Sequence, residues 1–372
     1  MTTELPTSHG LLANSPVEIP PQGWKDVLWR LYHEISEDRV MLVAAGVTYY
    51  MLLALVPALS VFVSLYGLFN DRATVGAHLN LLAGLVPPGG MEILDDQLTR
   101  LTSAPSATLS LTLVGSLAVA LWSSSSGIKA LFDAMNIAYD EAEKRNFFIL
   151  NLLALVFTIG IAVAAAVFLA VVVLMPAIFS AVYLGKGFEW LVQIVSYVLM
   201  LGLLLAGVSA LYRWGPSRQQ AKWRWITPGA ILTVVFVAIV SILFSWYASN
   251  FGNYNATYGS LGALVGLLTW MWLSITIVLV GAELNSEVEH QTARDSTTGR
   301  PLPLGERGAY MADHVAAVGL GATPDGKAVS ASSSNPAGAF ATAPRRVSPA
   351  LLALALPAAA LVILSLRNGR RT

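Results

Sequence analysis

"WITPGAILTVVFVAIVSILFSWYASNFGNYNATYGSLGALVGLLTWMWLSITIVLVGA", residues 225–282, lies between Arg224 and Glu283 without a single charged side chain. A hydrocarbon layer about 30 Å thick takes about 20 helical residues at about 1.5 Å each. The stretch is too long for one crossing and fits two, about 225–248 and about 259–282. Between them, Gly252 and Gly259 permit a tight turn, and Asn250, Asn253, Asn255, Tyr254 and Tyr258 supply hydrogen bonds at a membrane interface. The loop either closes the two helices on each other or rims an outer cavity.

Working outward, the same arithmetic finds spans at about 40–69, 106–122, 147–175 and 190–212. The predicted fold is therefore all-α, a polytopic transmembrane bundle of six core helices. A last apolar run, 349–366, is just long enough to be a seventh, although it would carry Arg367, Arg370 and Arg371 across. Composition agrees: 55% of residues are hydrophobic, only 12% are charged, and the mean hydropathy is +0.64, against roughly a quarter charged in soluble domains. The first 39 residues are polar and lack a short apolar core with a small-residue cleavage site, so no cleaved signal is expected.

Four regions follow. Residues 1–39 form an N-terminal segment in which Trp24, Val27, Leu28, Leu31 and Ile35 recur at helical spacing, predicting an interfacial amphipathic helix. Residues 40–290 hold the six spans. Residues 291–348, rich in Ala, Gly, Ser and Pro, read as disordered, and 349–372 form the hydrophobic segment with its basic end. Within the second region, 70–105 reads as a helical hairpin resting on the bilayer. Ile128, Leu131, Phe132, Met135 and Tyr139 line one face of what reads as a second surface helix.

Lys and Arg set the orientation. With the N-terminus cytoplasmic, the inner segments hold Lys25, Arg30, Arg39, Lys129, Lys144, Arg145, Arg213, Arg218, Lys222 and Arg224, and the outer ones only Arg72, Arg100 and Lys186. The expected location is the bacterial cytoplasmic (inner) membrane, the bilayer being the first partner.

Chemistry is sparse. With no cysteine and five scattered histidines, no thiolate site and no metal-ligand spacing exists, and no cofactor is expected. Equal numbers of basic and acidic residues, 22 each, with no aromatic-basic stripe, give no argument for nucleic acid. Ser126 and Lys129 fit the S-x-x-K pattern of serine hydrolases, but the companion S-D-N and K-T-G elements are missing. No catalytic residue is assigned, and the chain reads as a non-enzyme.

The candidate functional residues are polar groups in or near the spans. Thr48, Tyr49 and Tyr50 fall near the midplane of the first, to face protein or a cavity, and Pro57 further along it predicts a kink. Lys129, Asp133 and Asn136 follow the second span and Arg213 ends the fourth. Glu283 and Asn285 end the sixth, with Glu283 at the interface, in solvent or paired with Arg213 or Lys129.

Three blocks, "AAGVTYYMLLALVPAL", "LWSSSSGIKALFDAMNIAYDEAEKRNF" and the long run from "LYRWGPSRQQ" through "ITPGA", "SNFGN", "TYGS" and "GAELNSEV", resemble the YihY/BrkB family of bacterial inner-membrane proteins over about residues 24–289. The resemblance implies six helices with both ends cytoplasmic and supplies no catalytic set. A ribonuclease label borne by the family finds no nuclease site among these residues. The functional expectation is transport or sensing of a lipid-like or amphipathic solute, resting on two interfacial segments, midplane hydroxyls and a lack of buried ion-pair relays. A membrane scaffold is the alternative, and a hydrolase or ribonuclease is disfavoured.

Overall fold

The computed structural model describes residues 9–67, 111–181, 189–251 and 260–316. Among them the chain is helical, apart from one isolated bridge between Ala221 and Thr297. Helix α1 spans Pro21–Glu37, α2 Val40–Gly67, α3 Leu111–Ala138, α4 Phe147–Ala181, α5 Glu189–Trp214, α6 Trp223–Phe251, α7 Ser260–His290 and α8 Tyr310–Asp313. A helix stands at each of the six expected spans. Four of them, α4 to α7, are long and apolar enough to cross a membrane unaided, and α1 with α2 forms a bent pair at 59° that passes the same test together.

Proline is tolerated where the chain needs it. Pro21 opens α1, where its missing N–H would have had no partner, and α2 continues through Pro57. Helix α1 ends at Glu37, and Arg39 takes a left-handed φ of 51° that redirects the chain into α2. Asp140 does the same after α3, also at φ 51°. Glycine commonly fills such C-terminal positions because a Cβ is strained there.

Helix α7 is the central strut, packing against α1, α2, α3, α6 and α8. The main core gathers Val40, Ala44 and Val47 from α2, Phe132 and Met135 from α3, Tyr212 from α5 and Leu279 from α7. A second cluster joins Val27 and Leu31 of α1 to Trp225, Leu284 and Val288.

Two expectations change. Ile128, Leu131, Phe132, Met135 and Tyr139 do share a face, but α3 is one unbroken helix and that face lies in the main core, so it is not a surface helix. Periodicity reports one apolar face and is silent on whether lipid or protein covers it. Disorder from residue 291 does not hold for 291–316. There Gln291, Thr292, Ser296 and Thr297 are buried, and the Arg307 guanidinium donates to the carbonyls of Leu302, Ala312 and Ala293. The hairpin at 70–105 and the segments 317–348 and 349–372 lie outside the described residues.

Candidate functional site

The described connections meet at one end of the bundle. Lys144 N–H donates to Ser217 Oγ at 2.9 Å, Lys222 N–H to the Ser296 carbonyl at 2.9 Å and Tyr310 N–H to Glu141 Oε1 at 2.7 Å. Into this end runs the last part of α7, where Glu283, Leu284, Asn285, Ser286, Glu287, Val288 and Glu289 are all 4% exposed or less. A helix buried on every side cannot hide its polar residues on one face. Each must find a partner in the element it meets.

Helical spacing sorts those partners, since residues four apart share a face and residues two apart oppose each other. Glu283 and Glu287 face the corner of α1 and α2. Glu287 takes the Arg30 Nε–H, while Arg30 Nη2 also donates to the Glu287 carbonyl at 3.2 Å and to Gln291 Oε1 at 2.8 Å. Asn285 and Glu289 face the other way. Asn285 Oδ1 accepts the Gly229 N–H of α6 at 2.7 Å. Glu289 Oε2 accepts Arg218 Nη2 at 2.6 Å and Ser296 Oγ at 2.9 Å, and the Arg218 guanidinium lies 4.9 Å from the Tyr139 ring centroid. Glu283 lies beside the carboxyl groups of Asp38, Glu34 and Glu287.

Burial of Glu283 at 2% exposure corrects its expected place in solvent, and its partner is neither Arg213 nor Lys129. Arg213 Nη1 donates to the Ala221 carbonyl at 2.6 Å and stacks 4.6 Å from the Trp223 ring centroid. Lys129 Nζ donates to Asn151 Oδ1 at 2.9 Å. A buried ion pair does stand at this end, the Arg218 and Glu289 side chains being 2% and 0% exposed.

Asn136 holds two loops together, its Oδ1 accepting Ser217 N–H at 2.7 Å and its Nδ2 donating to Glu143 Oε2 at 3.0 Å. Partial burial pushes the Glu143 carboxyl up, but the Arg145 guanidinium, the Arg145 N–H and Asn136 outweigh it and hold it at about 2. Burial raises the Asp140 carboxyl, opposed by His290 and reinforced by Glu287, Glu141 and Glu37. Asp140→Asn, which tolerates a left-handed φ better, is expected to stabilise the protein by about 0.5 kcal/mol at pH 8, solvent having screened most of the repulsion. Below the unfolded carboxylate range both states are protonated and the electrostatic gain vanishes. It grows as pH rises from the unfolded carboxylate value to the raised folded one and is level above that. Thermal unfolding in detergent across that range measures it.

The midplane trio separates. Thr48 is buried and bonds back to the Ala44 carbonyl of its own helix at 2.7 Å. Tyr49 is 58% exposed, so it is not packed against protein, and it meets Tyr50 edge-on. Asn253, Asn255 and Tyr258 lie outside the described residues, as does the side chain of Asn250. Ser126 Oγ donates to the Ser123 carbonyl at 2.7 Å and Lys129 Nζ to Asn151, so the two residues of the S-x-x-K pattern are not bonded to each other. Among the described residues no group of three His, Asp or Glu could hold a metal ion.

The sequence profile of the family described as Virulence factor BrkB matches residues 31–303, most of the chain. The chain belongs to the BrkB family. A Bacillus subtilis relative, YfkH, described as ribonuclease-like, is 36% identical over 45% of this chain and 62% of its own length. A UPF0761 membrane protein of Xanthomonas campestris is 30% identical over 70% of this chain and 59% of its own. One from Neisseria meningitidis is 27% identical, covering 70% and 63%. The chain thus spans about three fifths of the length of these curated relatives. No solved structure matches. The BrkB match runs past α7 into the folded segment after it, as the hydrogen bonds of Ser296 and Thr297 would lead one to expect.

Sequence reasoning missed Arg30, Arg218, Glu287 and Glu289. The available signal was the spacing of "AELNSEVE": carboxylates at alternate helical positions cannot all face water on one side.

Proposed function

We propose that this BrkB-family protein moves or senses an amphipathic, lipid-like solute in the bacterial inner membrane, that its N-terminus is cytoplasmic, and that it is not an enzyme. What supports this reading is the direction its polar groups face. Tyr49 on α2 and Asp133 on α3 sit exposed on the outer surface of the bundle, so a ligand that meets them comes through the bilayer. The deciding assay is transbilayer movement of labelled phospholipid by purified protein in liposomes. Movement faster than in empty liposomes is expected, and movement no faster than in empty liposomes across lipids, ions and amphiphiles would sink the reading.

A scaffold is the second reading, favoured by the density of cross-links at the charged end, where Arg145 alone donates to Glu143 and to the carbonyls of Trp214 and Gly215. Orientation has its own test. Cysteines at the exposed Ala142 and Gln219 are expected to resist an impermeant thiol reagent in intact cells, while cysteines at Arg72 and Lys186 react. Labelling at Ala142 from outside would reverse the topology.

A further inference from the structure

We infer that the outer face of α3 and α4 binds a zwitterionic phospholipid with a primary-amine headgroup, the phosphate on Lys129 and the ammonium on Asp133. The inference rests on the lipid-like reading above and names the lipid class.

Lys129 sits over the Trp122 ring, 5.2 Å from its centroid, and spends one donor on Asn151 Oδ1 at 2.9 Å. An ammonium has three donors, and among the described residues no carboxylate pairs with it. Asp133 follows one helical turn later, nearer the charged end, and points out of the bundle. The charges beside Asp133 are Lys129, Glu143 and Arg145, and the last two neutralise each other at 2.7 Å. One cation and one anion are left, on residues one helical turn apart along α3.

Depth and charge select the ligand. Trp122, Phe147 and Phe148 are 55%, 62% and 80% exposed and form a continuous aromatic group, with centroids 6.1 Å and 5.7 Å apart. Aromatic side chains of this kind mark the level where acyl chains give way to headgroups. Lys129 bonds to Asn151, just inside the α4 span that opens at Phe147, whereas Asp133 lies one turn further toward water. A glycerophospholipid presents its groups in the same order, phosphate next to the glycerol and amine beyond it. An anionic lipid would satisfy Lys129 and set a second negative group against Asp133. A choline headgroup carries no N–H to donate. Snorkelling explains a lysine at this depth, but it gives no reason for an outward carboxylate on the same turn of surface.

The test uses the purified full chain titrated with phosphatidylethanolamine, phosphatidylcholine and phosphatidylglycerol and read by native mass spectrometry. Phosphatidylethanolamine is expected to bind about tenfold more tightly than either of the others, the scale of one charge-assisted hydrogen bond. Lys129→Gln should weaken it about tenfold. Asp133→Asn should remove its advantage over phosphatidylglycerol. Equal binding of the three lipids, or an unchanged order in Asp133→Asn, overturns the site. Should Lys129→Gln fail to fold, Lys129→Arg, which keeps the charge, must retain phosphatidylethanolamine while Asp133→Asn carries the comparison. Binding without transbilayer movement keeps this site and sinks the transport reading; movement without headgroup preference does the reverse.

Discussion

Arg218→Ala is expected to destabilise the protein by about 3–5 kcal/mol, the cost of leaving a buried partner charge uncompensated. Its partner, Glu289, is 0% exposed on α7 and would keep only Ser296 Oγ. The same change removes the guanidinium from the Tyr139 ring. Glu289→Gln should cost less, since an amide still accepts from Arg218 and Ser296. The double replacement Arg218→Met with Glu289→Leu should recover most of the loss, because a buried pair replaced whole by apolar groups leaves no orphaned charge. Thermal unfolding of detergent-purified protein gives the ordering. If the single and double variants melt together, the Arg218 and Glu289 charges are not coupled in the folded state. If Arg218→Ala matches the wild type, the loop it anchors does not depend on the pair.

The contrast between Arg218 and the apolar spans shows what a sequence of this kind discloses. Helices α4 to α7 were legible because hydrocarbon thickness imposes a length and excludes charge, a constraint that acts on every residue of a span at once. Pairing at the charged end has no such rule. Arg218 lies 71 residues from Glu289, and Arg30 lies 257 from Glu287. Nothing local tells which arginine reaches which carboxylate. The amphipathic face from Ile128 to Tyr139 was also legible as a face, but lipid and a protein core demand the same side chains. Tyr49 erred in the opposite direction. A tyrosine near the midplane was expected to face protein or a cavity, yet Tyr49 is 58% exposed and meets Tyr50 edge-on, because the buried face of α2 here runs through Ala44, Val47 and Thr48.

Gly229→Ala is expected to be among the most damaging small substitutions in the chain. A Cβ there would overlap the Gly281 carbonyl oxygen and stand 2.6 Å from the Asn285 side chain. Backbone cannot swing aside as a side chain can. Gly281 is enclosed from the other side, where a Cβ would collide with Thr233 Oγ1 and Tyr212 Oη. Those two hydroxyls are bonded to each other at 2.6 Å, and Tyr212 donates to the Val278 carbonyl at 2.7 Å. Three helices, α5, α6 and α7, therefore cross where two of them have no side chain, and small residues let membrane helices approach this closely. Overpacking of such a contact costs about 3 kcal/mol or more, enough to prevent accumulation of a marginally stable protein. Gly46→Ala provides the comparison. It lies inside α2 with nothing within 4 Å of the added methyl, so the change should be neutral or stabilise by about 0.5–1 kcal/mol through helix propensity. Membrane-inserted, monodisperse yield and unfolding midpoint should fall sharply for Gly229→Ala and Gly281→Ala and hold for Gly46→Ala. Equal behaviour of the three would mean that α6 and α7 do not meet at Gly229 and Gly281. The carbonyl of Gly281 and the amide of Asn285 would then have to find other neighbours, and the register that sets Glu283 against Asp38 would go with them.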